Sequence, residues 1–288
     1  MVAAPGGVLI KSSRFIFHRN LPIISKLGTT VFLTLITITL DDLKIIMEPQ
    51  KLKEVLTRLE CAKRIVAFTG AGISQESGIA TFRGNGGIWG KYRVEEVATP
   101  EAFFANPKLV WDFYLERRRG ALEAKPNSAH QVIAAWEKKF PFVGVVTQNI
   151  DGLHEKAGST KIQELHGNIW QARCSDCGAT ERDESLERTE LPLCKHCKGL
   201  VRPHIVWFGE ALDFDIIQEA LKWMRQADII FVVGTSGVVE PAASFVREAK
   251  SEGVFIVEVN IENTALTHIA DVSLFGKSGE IFAELNRY

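Results

Sequence analysis

No excess of charge of either sign runs through this chain: 34 Lys and Arg stand against 35 Asp and Glu, giving a net charge of −1 and a pI of about 6.7. That removes the electrostatic case for nucleic acid or an anionic membrane as a partner. The uncharged stretch from Leu27 to Leu40 has 14 residues, short of the roughly 20 that a membrane-spanning helix needs. Cysteine is scarce, and four of the five fall in two pairs, Cys174/Cys177 and Cys194/Cys197, with Cys61 apart. So few, so spaced, exclude a disulfide framework and point to a metal site in a reducing compartment. A third glycine is also missing: after Gly70-Ala71-Gly72 the dinucleotide fingerprint wants glycine where Gln75 stands, so an ordinary dehydrogenase fits poorly. What remains is an ordinary globular composition, 46% apolar and 24% charged over 288 residues. That is enough for one large domain with a smaller lobe, or for two domains.

The first 46 residues read differently from the rest. Residues 1–40 contain no Asp or Glu but carry Lys11, Arg14, Arg19 and Lys26 among serines, as an organellar transit peptide does. Leu27 to Leu40 would also suit a signal-peptide core, although no small-residue cleavage site follows. Met47-Glu48-Pro49 looks like a start of its own, with Pro49 suited to a first helical turn. The expectation is a functional protein that begins at Met47 and is cytoplasmic, or organellar if residues 1–46 are a genuine transit segment.

From there the pattern alternates. Leu52, Val55, Leu56 and Leu59 have helical spacing, then Lys63 to Thr69 reads as a buried strand running into the glycine turn. Val143 to Val146, Ile229 to Val233 and Val254 to Val259 repeat the device. Each ends in small or polar residues: Gln148-Asn149-Ile150-Asp151, Gly234-Thr235-Ser236 and Asn260-Ile261-Glu262. Buried strands alternating with helices define a parallel, doubly wound α/β sheet, and ligands bind outside the carboxyl ends of its strands. A histidine, His166, follows closely behind the first of these clusters in a Leu-His-Gly context.

Two further segments interrupt the alternation. From Thr99 to Gly120 an aromatic-rich helical module places Tyr114 and Arg117 three residues apart on one face, where phenol and guanidinium can hold a small carboxylate. A second helix follows, with Ser128 as its expected cap. Cys174-x-x-Cys177 and Cys194-x-x-Cys197, 16 residues apart, fit a four-thiolate zinc site whose closed shell leaves no position for substrate. Arg202 to Glu210 is an extended run that can offer backbone groups to a peptide.

Taken in order, GAGIS (70–74), TFRG (81–84), TQNIDGLH (147–154), LHG (165–167), the cysteine pairs, VWFGE (206–210), GTS (234–236) and NIE (260–262) resemble the sirtuins, NAD-dependent protein-lysine deacylases. The resemblance implies a Rossmann-like sheet with a small lobe of zinc ribbon and helical module, at about residues 85–135 and 169–202 of a catalytic domain spanning 47–288. It also implies roles. Gly70, Ala71, Gly72, Thr81, Phe82, Arg83 and Trp89 would lie along the NAD pyrophosphate and ribose. Gln148, Asn149, Ile150 and Asp151 would hold the nicotinamide side, and Gly234, Thr235, Ser236, Asn260, Ile261, Glu262 and Ser278 the adenosine half. His166 would be the general base, with Asn149 and Asp151 beside it, and Val206, Trp207 and Phe208 would line an acyl-lysine tunnel and pair with the substrate backbone. Products would be free lysine, nicotinamide and 2′-O-acyl-ADP-ribose. Tyr114 and Arg117 match the Tyr-x-x-Arg of sirtuins that accept succinyl or malonyl groups. Acylated-lysine proteins are then the expected partners, NAD the co-substrate and one structural zinc the metal. Three other classes stay open: a mono-ADP-ribosyltransferase, a non-enzymatic zinc-ribbon binding module and, more distantly, a dehydrogenase.

Overall fold

The structure is a computed structural model that describes residues 49–81 and 92–287; the expectations for residues 1–46, and for Phe82, Arg83 and Trp89, lie outside the described residues. In chain order the strands are β1 (Arg64–Thr69), β2 (Phe142–Thr147), β3 (Ile162–Glu164), β4 (Gly167–Cys174), β5 (Thr180–Arg182), β6 (Val201–Ile205), β7 (Ile229–Val233), β8 (Phe255–Asn260) and β9 (Val272–Phe275). Six of them pair in parallel in the order β3-β2-β1-β7-β8-β9. The order reverses between β1 and β7, and a doubly wound sheet opens its ligand crevice at such a point.

Nearly continuous apolar strands follow from burial on both faces. Ile65 and Ala67 of β1 enter one core with the helices Pro49–Cys61, Ser128–Trp136 and Ser278–Leu285; Val66 and Phe68 enter another with Phe214–Arg225 and Ala242–Ser251. Trp136 anchors the first core, its ring 5.4 Å from Phe231 and 5.5 Å from Phe282. The helix Ser128–Trp136 thus sits with the large sheet, although the expected small-lobe segment reached to 135. Its cap is Asn127 rather than Ser128: the Asn127 carbonyl accepts from Ala129 N at 3.0 Å, while its amide donates to Ile73 O at 2.6 Å. An amide carries two donor hydrogens on Nδ2 and its acceptor on a separate atom, so Asn127 caps the helix and bonds Ile73 O and Ser77 Oγ at once, where a hydroxyl has one hydrogen to give.

A separate core holds the small lobe, where the helices Pro100–Ala105 and Pro107–Glu123 pack on the antiparallel sheet β5-β4-β6. The register of Pro107–Glu123 is pinned from below. Trp111 donates Nε1–H to Val201 O at 3.0 Å, and fully buried Arg118 donates to Ile169 O at 2.7 Å and to Asp183 at 3.0 Å. That pinning carries Tyr114 and Arg117 into place above. Among the described residues no helix is long and apolar enough to cross a membrane.

Candidate active site

At the switch point the turn after β1 meets the turn after β7. Gly70 N donates to Val233 O at 3.0 Å and Gly72 N to Gly234 O at 2.8 Å. A Cβ on Gly72 would stand 2.7 Å from Gly234 Cα, and one on Gly234, whose φ is +58°, 2.3 Å from Ile73 N. Two backbones this close admit only glycine. Gly72→Ala is therefore expected to cost about 1–3 kcal/mol through overpacking, read as a lower midpoint in thermal melting.

The residues after β2 fill the floor beneath. Asn149 donates Nδ2–H to Gly70 O at 3.0 Å and to Ser74 Oγ at 3.2 Å; Ser74 donates to Asp151 Oδ2 at 2.8 Å, and Leu153 N to Oδ1 at 2.9 Å. Burial pushes the Asp151 carboxyl above the usual range, against the pull of these two donors and of Arg117. Gln148 reaches across to Thr235 Oγ1 at 3.1 Å, tying β2 to the turn after β7. Ser74 was not assigned from the sequence, although it lies within the quoted GAGIS; its role depends on a carboxylate 77 residues away.

His166 stands opposite. Its Nδ1 lies 3.0 Å from Gln148 O, and a carbonyl can only accept, so the proton sits on Nδ1 and the Nε2 lone pair is left open. Burial lowers its pKa below the ordinary value, partly countered by that carbonyl, so the ring is neutral at pH 7. Such a tautomer is equipped to accept a proton at Nε2.

The third wall belongs to the small lobe. Trp207, 2% exposed, donates Nε1–H to Tyr114 Oη at 2.9 Å, which leaves the phenol its own hydrogen to give. Burial pushes the Tyr114 pKa up to about 12, so it remains a donor. The Arg202 guanidinium lies 3.3 Å from the Trp207 ring centre, and Glu210 joins Arg202 to Trp207 N. One expectation needs correction. The N–H groups of Val206, Trp207 and Phe208 already donate to His166 O, Glu210 and Ala98 O, because the segment has left the β6 ladder and is tied into loops. These three N–H groups are therefore not free for a substrate backbone.

A cavity of about 850 Å³ joins these walls. Along it lie Gly70, Ala71, Gly72, Thr81, Gln148, Asn149, Ile150 and His166; Tyr114, Arg117, Val206, Trp207 and Phe208; and Gly234, Thr235, Ser236, Asn260, Ile261, Glu262 and Ser278. Asp151 borders an adjoining recess with Ser74, Ile79, Ala80, Arg117 and Asn149. Ser278 faces the cavity with its hydroxyl already given to Glu76 Oε1 at 2.9 Å. The sequence reading missed the far wall, Asn263 to Ala265, which lies in a loop with no motif of its own.

Away from the cavity, the Sγ atoms of Cys174, Cys177, Cys194 and Cys197 all lie within 4.8 Å of one another. Cys174 and Cys197 are 3.4 Å apart and Cys177 and Cys194 3.7 Å, too long for disulfides and close to the roughly 3.8 Å edge of a tetrahedral zinc–thiolate cluster. Asp176 N donates to Cys174 Sγ and His196 N to Cys194 Sγ, each at 3.4 Å. The donor set fits one structural zinc.

Residues 70–241 match the model of the Sir2 family. An NAD-dependent protein deacylase of Aquifex aeolicus is 51% identical over 209 residues, covering 72% of this chain and 87% of that one. Among solved structures, a Sir2 homolog–NAD complex is 45% identical with a TM-score of 0.78, covering 82% of this chain and 92% of its own. A Sir2 mutant with a deacetylated p53 peptide and 3′-O-acetyl ADP-ribose is 37% identical with a TM-score of 0.73, covering 82% and 97%.

Proposed function

The chain belongs to the Sir2 family, and from that premise we propose that it is an NAD-dependent protein-lysine deacylase that removes acetyl groups and also succinyl and malonyl groups. The observation that carries this is the neutral His166, its Nε2 open, in one cavity with the Gln148–Asn149 floor and the Tyr114–Trp207 wall. When bound, NAD supplies a ribose carbon that accepts the acyl oxygen as nicotinamide leaves. Gly70, Ala71, Gly72 and Thr81 hold its pyrophosphate side, and Gly234, Thr235, Ser236, Asn260, Ile261, Glu262 and Ser278 its adenosine half. By the sequence resemblance, Phe82, Arg83 and Trp89 are assigned to the same pyrophosphate and ribose. Gln148, Asn149, Ile150 and Asp151 orient the nicotinamide end, and His166 takes a ribose-hydroxyl proton at Nε2. Val206, Trp207 and Phe208 border the acyl-lysine; with Phe208 51% exposed, the rim is where a peptide would rest. The partner is an acylated-lysine protein, and four thiolates suit a reducing compartment such as the cytoplasm.

The test is to incubate the chain with NAD and matched acetyl-, succinyl- and malonyl-lysine peptides and identify products by mass. Nicotinamide, deacylated peptide and acyl-ADP-ribose in equal amounts are expected. ADP-ribose attached to protein without deacylation would favour a mono-ADP-ribosyltransferase, and unconsumed NAD would contradict both.

The acidic-acyl preference rests on two cavity residues one turn apart. Arg117 is a cation held by burial below its usual pKa, with the Tyr114 hydrogen beside it. Arg117→Met is expected to lower kcat/KM for succinyl-lysine by roughly 10- to 100-fold, the worth of a hydrogen-bonded charge, while deacetylation changes little. An equal fall in both activities would make Arg117 a packing residue.

A further inference from the structure

A carboxylate in the middle of the sheet is the least expected residue of the fold. Glu258 sits in β8, between Val257 and Val259, paired with Val232 on one side and Ser273 on the other, and is 1% exposed. An apolar side chain would cost less at such a place, since burying a carboxylate sacrifices its hydration. Three hydroxyls replace the water. Thr264 and Thr267 donate to Oε1 at 2.5 and 3.0 Å, and Ser273 donates to Oε2 at 2.7 Å.

The proton inventory shows what this arrangement does. Both threonines donate to Oε1, so each spends its single hydrogen on Glu258 and turns its lone pairs outward. Those lone pairs are taken by the loop's own backbone: Leu266 N donates to Thr264 Oγ1 at 3.0 Å and Thr264 N to Thr267 Oγ1 at 2.7 Å. Oε1 thereby fixes two loop amides through two hydroxyls. The loop so fixed supplies Ile261 to Ala265, the far wall of the cavity, and Ala265 N closes it on Ser236 O at 3.2 Å. Oε2 serves a different purpose, holding Ser273 of the neighbouring strand with no loop amide behind it.

We infer that Glu258 is a positioning residue for the adenosine half of NAD, acting through Thr264 and Thr267 to hold the 261–266 loop in its binding shape before the ligand arrives. This rests on the reading of that wall as the adenosine side. A loop ordered in advance spares the ligand the entropic cost of ordering it, so the effect falls on affinity and not on the chemistry at His166.

The experiment is calorimetric titration of ADP-ribose into the full chain and four variants, with melting temperature recorded for each. Glu258→Met removes every acceptor at similar volume and is expected to weaken ADP-ribose binding about tenfold or more. Glu258→Gln, whose Oε1 can still accept from both threonines, is expected to return affinity to within about threefold of the starting chain. Thr267→Val breaks one relay outside the cavity and should weaken binding by about three- to fivefold, whereas Ser273→Ala should stay within about twofold. A Glu258→Met chain that melts lower yet binds ADP-ribose normally would overturn the inference, as would Ser273→Ala weakening binding as much as Thr267→Val. Should the unaltered chain fail to bind ADP-ribose, the NAD reading itself falls and takes this inference with it.

Discussion

His166→Ala is expected to lower kcat for deacylation by about 10²–10⁴-fold, the range for a lost general base, with ADP-ribose affinity nearly unchanged. The split follows from position: the imidazole is held by Gln148 O and makes no bond to the glycine turns that would carry the pyrophosphate. The pH dependence carries the same signature. Burial lowers the His166 pKa below its ordinary value, so the ring stays unprotonated and active somewhat below pH 6.5. Activity should then fall on further acidification, because the protonated ring has no lone pair with which to accept. Stopped assays across pH 5–8 on a single peptide would show this; a limb centred well above 6.5 would contradict it.

Removing the metal should have the other large effect. Cys174→Ser is expected to release the zinc and lower the melting midpoint by roughly 10 °C or more, since a structural zinc site contributes on the order of 10 kcal/mol in small domains. Activity should be lost with it although no cysteine reaches the cavity. Cys174 is the last residue of β4, the strand that starts one residue past His166, and it pairs with Val201 of β6, whose carbonyl holds Trp111 in the helix carrying Tyr114 and Arg117. Zinc content by plasma mass spectrometry, read beside activity, checks this. Full turnover in zinc-free protein would contradict it.

Much of this was legible in the chain before any coordinates. Buried strands announce themselves because both faces are covered, and glycines such as Gly72 and Gly234 stand where only a bare backbone fits. The four cysteines are equally plain, since metal-ligand spacing is local in sequence. What escaped depends on distant partners. Ser74 matters through Asp151, the N–H groups of 206–208 are claimed by His166, Glu210 and Ala98, and Glu258, passed over within an apolar strand, is explained only by its three hydroxyls. The shift of a helix cap from Ser128 to Asn127 is of another kind: adjacent residues both suited the position, and tertiary bonds to Ile73 and Ser77 decided between them.

The most direct measurement is a crystal structure of the chain with ADP-ribose and a succinyl-lysine peptide. The expected result places His166 Nε2 within hydrogen-bond reach of a ribose hydroxyl, Asn149 beside the same sugar, and the acyl carboxylate against Arg117 and Tyr114. A dinucleotide lying elsewhere, or an imidazole turned from the ribose, would contradict the account.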